Sequence, residues 1–106
     1  MGTTTTRTVD LSAVDGAPHA NLFPGSEPKT IRLTLAAGDR VDPHRHPGRQ
    51  VVLYLLEGAV DLTVGDETHS LREGDVARFD GDQDISPHAT ERSTALVVLA
   101  PAAEGG

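Results

Sequence analysis

The sequence contains no cysteine and no tryptophan. Without thiols, disulfide stapling, thiolate catalysis and cysteine-ligated zinc are excluded. Aromatic residues make up only 3% of the chain, so a core must be assembled mainly from Val, Leu, Ile and Ala. Positive charge is also scarce. A single lysine, Lys29, joins the arginines to make nine cationic side chains against 16 acidic ones, and the formal net charge is −7. Such a surface repels phosphate backbones, which argues against nucleic acid as a partner. The N-terminal MGTTTTRT has no apolar core, so neither a signal peptide nor a membrane span is expected, and the expected compartment is the cytoplasm. No segment carries the periodicity of an amphipathic helix.

What the sequence does contain is strand chemistry. Val and Thr are frequent, and 11 Gly and 7 Pro supply turns. A length of 106 residues suits one domain with one core. We place that core at about residues 29–100, after an N-terminal strand and loop (1–28) and before a loose tail (101–106). Thr3 to Leu11 is β-branched and reads as a first strand; Ser12 to Pro28 reads as a loop with one short extended piece. Lys29 to Ala36 alternates as a half-buried strand. Val51 to Leu56 is a continuous apolar run, the pattern of a strand buried on both faces. Ala59 to Val64, Thr68 to Leu71, Val76 to Phe79, Ile85 to His88 and Ser93 to Leu99 complete the set. Gly65-Asp66 marks a tight hairpin, and Asp80 to Asp84 (DGDQD) an exposed acidic loop. Short strands without crossover helices point to an antiparallel barrel or double sheet of about eight or nine strands.

The chemistry concentrates between Gly38 and Gly58. His44 and His46 form an H-x-H opened by Pro43 and closed by Pro47-Gly48. In an extended chain both imidazoles point the same way, about 6–7 Å apart at the backbone, a spacing that lets two rings share one metal ion. Gln50 has the same parity. His19 and His69 read as structural or solvent-exposed histidines.

Gly38-x5-His44-x-His46-x3-Gln50, followed by an apolar strand ending in Leu56-Glu57-Gly58, resembles the first motif of the cupin superfamily. Gly74-Asp75-Val76-Ala77-Arg78-Phe79, with Ser86-Pro87-His88 downstream, resembles the second. The resemblance spans roughly Ile31 to Leu99. It implies an all-β fold, a small antiparallel β-barrel of the double-stranded β-helix (jelly-roll) type. It also implies one divalent transition metal (Fe, Mn, Cu, Ni or Zn) held by His44, His46, Gln50 and His88. Two departures stand out. Gln50 replaces the family's usual glutamate. Its interval to Gly58 is one residue long, so counting back from Gly58 reaches Val51 unless a β-bulge follows Gln50. A neutral glutamine would leave the ion its full double charge and favour a small anionic substrate.

The function implied is a metal-binding cupin, foremost a metal-dependent oxidoreductase of dioxygenase type. The alternatives are a non-catalytic module binding metal or a small ligand, and a cupin isomerase or lyase. Tyr54 is a candidate proton donor in the cavity or else a packed strand residue. Arg78 is a candidate anion partner or else an outer-face ion-pair residue. The partner expected is a small molecule, with no membrane. A homodimer is expected too, because the strand Thr3 to Leu11 would leave an unpaired edge.

Overall fold

The computed structural model describes residues 6–102. Eight strands follow a short 3-10 turn, Leu11–Ala13: β1 (His19–Asn21), β2 (Lys29–Leu35), β3 (Arg49–Glu57), β4 (Ala59–Val64), β5 (Glu67–Arg72), β6 (Val76–Asp80), β7 (Ile85–Ala89) and β8 (Ser93–Pro101). They form two antiparallel sheets, one of five strands in the order β1-β2-β8-β3-β6 and one of three in the order β5-β4-β7. The architecture is a jelly-roll sandwich; the two sheets do not close into a continuous barrel.

Alternation sets which side chains meet between the sheets. Ile31, Leu33 and Leu35 of β2 face inward with Val51, Leu53 and Leu55 of β3 and Ala95 and Leu99 of β8. Val60, Leu62 and Val64 of β4 and Ile85 and Ala89 of β7 meet them from the opposite sheet. Leu55, Leu62 and Val51 are the largest fully buried side chains. Each contributes roughly 1.5–3 kcal/mol by leaving water. Gly65-Asp66 joins β4 to β5, with Val64 paired to Glu67, as the hairpin signal required. Gly58 turns β3 into β4 at φ 94°, where a Cβ would lie 2.3 Å from the Arg92 carbonyl oxygen. Only glycine fits there.

Three expectations are corrected. Thr6 to Asp10 form no strand, and Leu11–Ala13 is a turn whose entry is capped by Asp10 accepting from the Ser12 amide; Thr3 to Thr5 lie outside the described residues. The aspartate side chain satisfies a local amide, which favours a cap over a ladder. The run Val51 to Leu56 is buried on one face only: Tyr54 is 38% exposed. The irregularity in β3 falls between Leu55 and Glu57, not after Gln50.

Candidate functional site

Residues 38–46 leave β2 and run antiparallel to β7. The Val41 amide donates to Pro87 O (3.0 Å), the His44 amide to Ile85 O (3.1 Å), and the Ile85 amide back to His44 O (2.8 Å). Beyond His44 the segment leaves β7 and docks on the loop after β6, where the His46 amide donates to Gly81 O (2.8 Å). Pro43 and Pro47 lack the amide needed to continue a ladder, so His44 and His46 sit in irregular backbone rather than in a strand. Alternation nevertheless survives. Arg45 turns the other way and pairs with Asp84 at 2.8 Å, while Asp82 accepts from the Gly48 amide. The acidic DGDQD loop therefore clamps the histidine segment. The exposed Arg45–Asp84 pair adds little to stability by itself; its consequence is orientation.

His44 and His46 present their rings edge to face, with centroids 4.8 Å apart. The His44 Nδ1 lies 3.0 Å from the Asp42 carbonyl oxygen. A carbonyl only accepts, so this bond assigns the proton to Nδ1 and leaves the Nε2 lone pair free. Both rings line an open cleft of about 1210 Å³ that runs along β2. Its opposite wall carries His19 and Asn21 of β1 and Lys29 and Ile31 of β2.

His19 is the residue that the sequence reading missed. It pairs with Leu33, and so shares the inward parity of Asn21, which pairs with Ile31. The only sequence signal is the alternation His-Ala-Asn within three residues, too short to distinguish a strand from a loop. Partial burial, then the neighbouring His44 and Lys29, holds the His19 pKa below its ordinary 6.5. Burial also lowers His46, followed by His44, Lys29, His19 and Arg49. Both shifts favour the uncharged imidazole of His19 and of His46.

An unfolded histidine takes up its proton near pH 6.5, before the folded one does, so the folded state binds fewer protons. This source of stability is complete above pH 6.5 and is lost as pH falls through the lower folded values. Replacing His46 with Gln should flatten the drop in melting temperature between pH 7.5 and 5. An unchanged slope would contradict the burial of His46.

The remaining expected ligands are not brought to the cleft. Gln50 pairs with Asp80 and Ala100 and shares the outward parity of Val52 and Tyr54; the inward position is Val51, 2% exposed. With no bulge after Gln50, parity alone turns it away. His88 lies on the outer face of the three-stranded sheet, in a separate hollow with Arg40, Asp61 and Ser86. Inward positions on β7 are Ile85, Pro87 and Ala89, and the residue facing His44 across the ladder is Ile85, 4% exposed. Tyr54 and Arg78 are on the outer face of the five-stranded sheet and line no part of the cleft. Among the described residues no group of three or more His, Asp or Glu is placed to hold a metal ion. The four-ligand centre implied by the motif thus does not fit this chain, because two apolar side chains occupy the inward positions.

The jelly roll and the cleft along β2 define a small cupin. Residues 31–100 match the family model described as a cupin domain (Cupin_2), and the chain belongs to that family. No curated protein matches the sequence. Among solved structures, an HTH_3 family transcriptional regulator from Vibrio cholerae is similar at TM-score 0.68 and 24% identity, over 80% of this chain and 51% of that one. This chain therefore spans about half of that regulator. KdgF from Halomonas sp. is similar at TM-score 0.77 and 16% identity, over 95% and 97% of the two chains. A protein from Thermotoga maritima described as a predicted oxalate decarboxylase is similar at TM-score 0.70 and 22% identity, over 79% of each. At these identities the likenesses establish the fold. No helix among the described residues is long and apolar enough to cross a membrane.

Proposed function

We propose that this chain is a ligand-binding cupin domain that takes a small hydroxylated anion, such as a hydroxycarboxylate, into the cleft of His19, His44 and His46. The observation that carries this reading is the convergence of three imidazoles on one open cleft, with the His44 tautomer pinned by Asp42. A free Nε2 accepts from a ligand hydroxyl, and Lys29 on the opposite wall attracts a carboxylate. The apolar Ile31 and Val41 leave room for a carbon skeleton between them. Oxalate, named for the Thermotoga maritima neighbour, belongs in the first ligand panel as an anion without a hydroxyl.

Calorimetric titration with small carboxylates and hydroxycarboxylates tests the reading. His44→Ala should weaken a hydroxycarboxylate about tenfold, the size of one hydrogen bond to a partly buried group. Lys29→Ala should weaken every carboxylate and spare uncharged polyols. Equal affinity of the wild type and His44→Ala for the whole panel would sink the reading.

The second reading is the metal-dependent oxidoreductase. It is favoured by the His44–His46 pair, whose neighbouring rings face the same space. A divalent metal bound there would supply Lewis acidity or oxygen chemistry to a substrate in the cleft. Elemental analysis of the purified protein, with oxygen uptake by an iron-loaded sample, separates the two. Stoichiometric metal together with uptake would establish the second.

A further inference from the structure

The face that carries His88 holds a second recess, apart from the histidine cleft. His88 pairs with Asp61 of β4 on one side and with Arg40 on the other. Asp61 pairs in turn with Ser70 of β5. Paired residues share a face, so these four make one row across the outside of the three-stranded sheet. Ser86, Thr63 and Thr68 make the row beside it. Between the rows lies an open hollow of about 530 Å³, lined by Arg40, His88 and Asp61 and by the three hydroxyl residues. Its polar groups are largely fixed. Ser86, only 5% exposed, donates to Val41 O at 2.6 Å and accepts from Arg40 Nε at 3.3 Å. That bond leaves the two terminal nitrogens of the guanidinium for a ligand. Thr63 and Thr68 satisfy each other at 3.0 Å. Asp61 accepts from Ser70 through Oδ1 at 2.8 Å, which leaves Oδ2 as an acceptor. Asp84, on the rim, is paired with Arg45. The hollow thus retains one cation and one carboxylate, with His88 between them in the row.

We infer that this hollow binds a small zwitterionic α-amino acid, its carboxylate on Arg40 and its ammonium on Asp61. Charge selects the class. A simple anion drawn to Arg40 is repelled by Asp61, and a simple cation meets the reverse. A neutral ligand with one charge of each sign satisfies both, through two charge-assisted bonds. Spacing agrees. Neighbouring strands lie about 4.8 Å apart, so Arg40 and Asp61 stand about 10 Å apart at the backbone. Arg40 leans toward Ser86 on the strand between them, which shortens the interval to one that charges on adjacent carbons can bridge. The lining limits the side chain. It offers Pro43 and threonine methyls but no large apolar residue, so serine suits it better than phenylalanine. This explains a conspicuous histidine without any metal: His88 lies within hydrogen-bonding range of the same ligand rather than of the cleft. Arg40 also borders the cleft, so the informative substitution is at Asp61, which does not.

Titration of serine into the isotopically labelled full chain, followed by amide NMR shifts, tests the inference. The amides of Asp61, Thr63, Ser86 and His88 should move together, with half-saturation at about 1 mM or below. Serine methyl ester lacks the carboxylate and N-acetylserine the ammonium; each should need at least about tenfold more to move the same amides. Phenylalanine should need about fivefold more. Asp61→Asn keeps an acceptor for Ser70 and removes the charge, and should weaken serine about tenfold or more with the rest of the spectrum unchanged. The ligand series needs no variant, so it decides even if Asp61→Asn fails to fold. Equal affinity for serine and either blocked form overturns the inference, as does equal affinity for phenylalanine, a folded Asp61→Asn that binds like the wild type, or no shift at all. Shifts confined to Lys29, His44 and His46 overturn it too, because the amino acid would then occupy the cleft. The hydroxycarboxylate reading of the cleft stands or falls separately, on amides of the other sheet and the histidine segment.

Discussion

Replacing Gly81 with alanine should lower the melting temperature by roughly 10–20 °C and weaken ligand binding in the cleft at least about tenfold, although residue 81 touches no ligand. Gly81 is buried, and a Cβ there would lie 2.4 Å from the His46 carbonyl oxygen, 2.9 Å from that of Arg49 and 3.1 Å from the His46 Cβ. Two of these neighbours are backbone, which cannot rotate aside as a side chain does. The His46 carbonyl has to retreat by more than half an ångström. That movement strains three bonds at once: His46 amide to Gly81 O (2.8 Å), Gly81 amide to Arg49 O (2.8 Å) and Arg49 amide to His46 O (3.1 Å). Overpacking costs about 1–3 kcal/mol and each weakened buried bond about 1 kcal/mol, so about 2–4 kcal/mol is expected in total. The cleft suffers because His46 is carried by the displaced carbonyl's own residue. Affinity has to be measured well below the lowered melting point. A variant that melts early yet binds with wild-type affinity would show that the Gly81 contact supports only the fold.

The acidic loop was legible in the sequence as exposed and charged, yet its role was not. Asp82 and Asp84 are exposed, but their partners, the Gly48 amide and Arg45, lie 34 and 39 residues away. Alternation along one strand does not encode a contact of that range. Where a signal was local, it held. Lys29 to Ala36, Ala59 to Val64 and the Gly65-Asp66 hairpin declare themselves through period-two patterning and turn residues, and the structure forms each, the first strand ending one residue earlier at Leu35. The two-motif resemblance likewise led to the family. What failed was parity at a motif. Gln50 and Val51 differ by one residue, and a one-residue step exchanges the two faces of a strand. The count from the histidines chose Gln50; the count back from Gly58 chose Val51, and the structure follows the second. His88 failed for the same reason. The proximity of a histidine to a second motif carries no statement of which face it takes, and His88 lies an odd three positions along β7 from Ile85, so the two point oppositely.

Replacing Ile85 with histidine should convert the cleft into a transition-metal site, tightening zinc or nickel binding on the order of 100-fold over wild type. The argument starts from the ladder. His44 and Ile85 exchange both backbone bonds, at 3.1 and 2.8 Å, so they stand directly opposite and their side chains leave the same side. His44 and His46 already offer neighbouring rings, one with its Nε2 lone pair left free. A third imidazole from position 85 supplies a donor where the wild type presents a secondary butyl group. Without metal the substitution is costly. Ile85 belongs to the core, 4% exposed, and a buried imidazole without a partner loses packing and solvation together, about 2–4 kcal/mol. Metal binding to the folded state returns part of this, about 2.7 kcal/mol at a hundred times the dissociation constant. The expected pattern is a low melting temperature for metal-free Ile85→His, a rise of roughly 10 °C or more on adding zinc, and a much smaller rise for the wild type. Acid should abolish the rise, since protonated imidazoles do not ligate. If the wild type responded to zinc as strongly as the variant, His44, His46 and His19 would already form a competent centre, and the oxidoreductase reading would displace the ligand-binding one. If neither responded, the two rings would not share an approachable point, and the cleft would have to act through hydrogen bonds and charge alone.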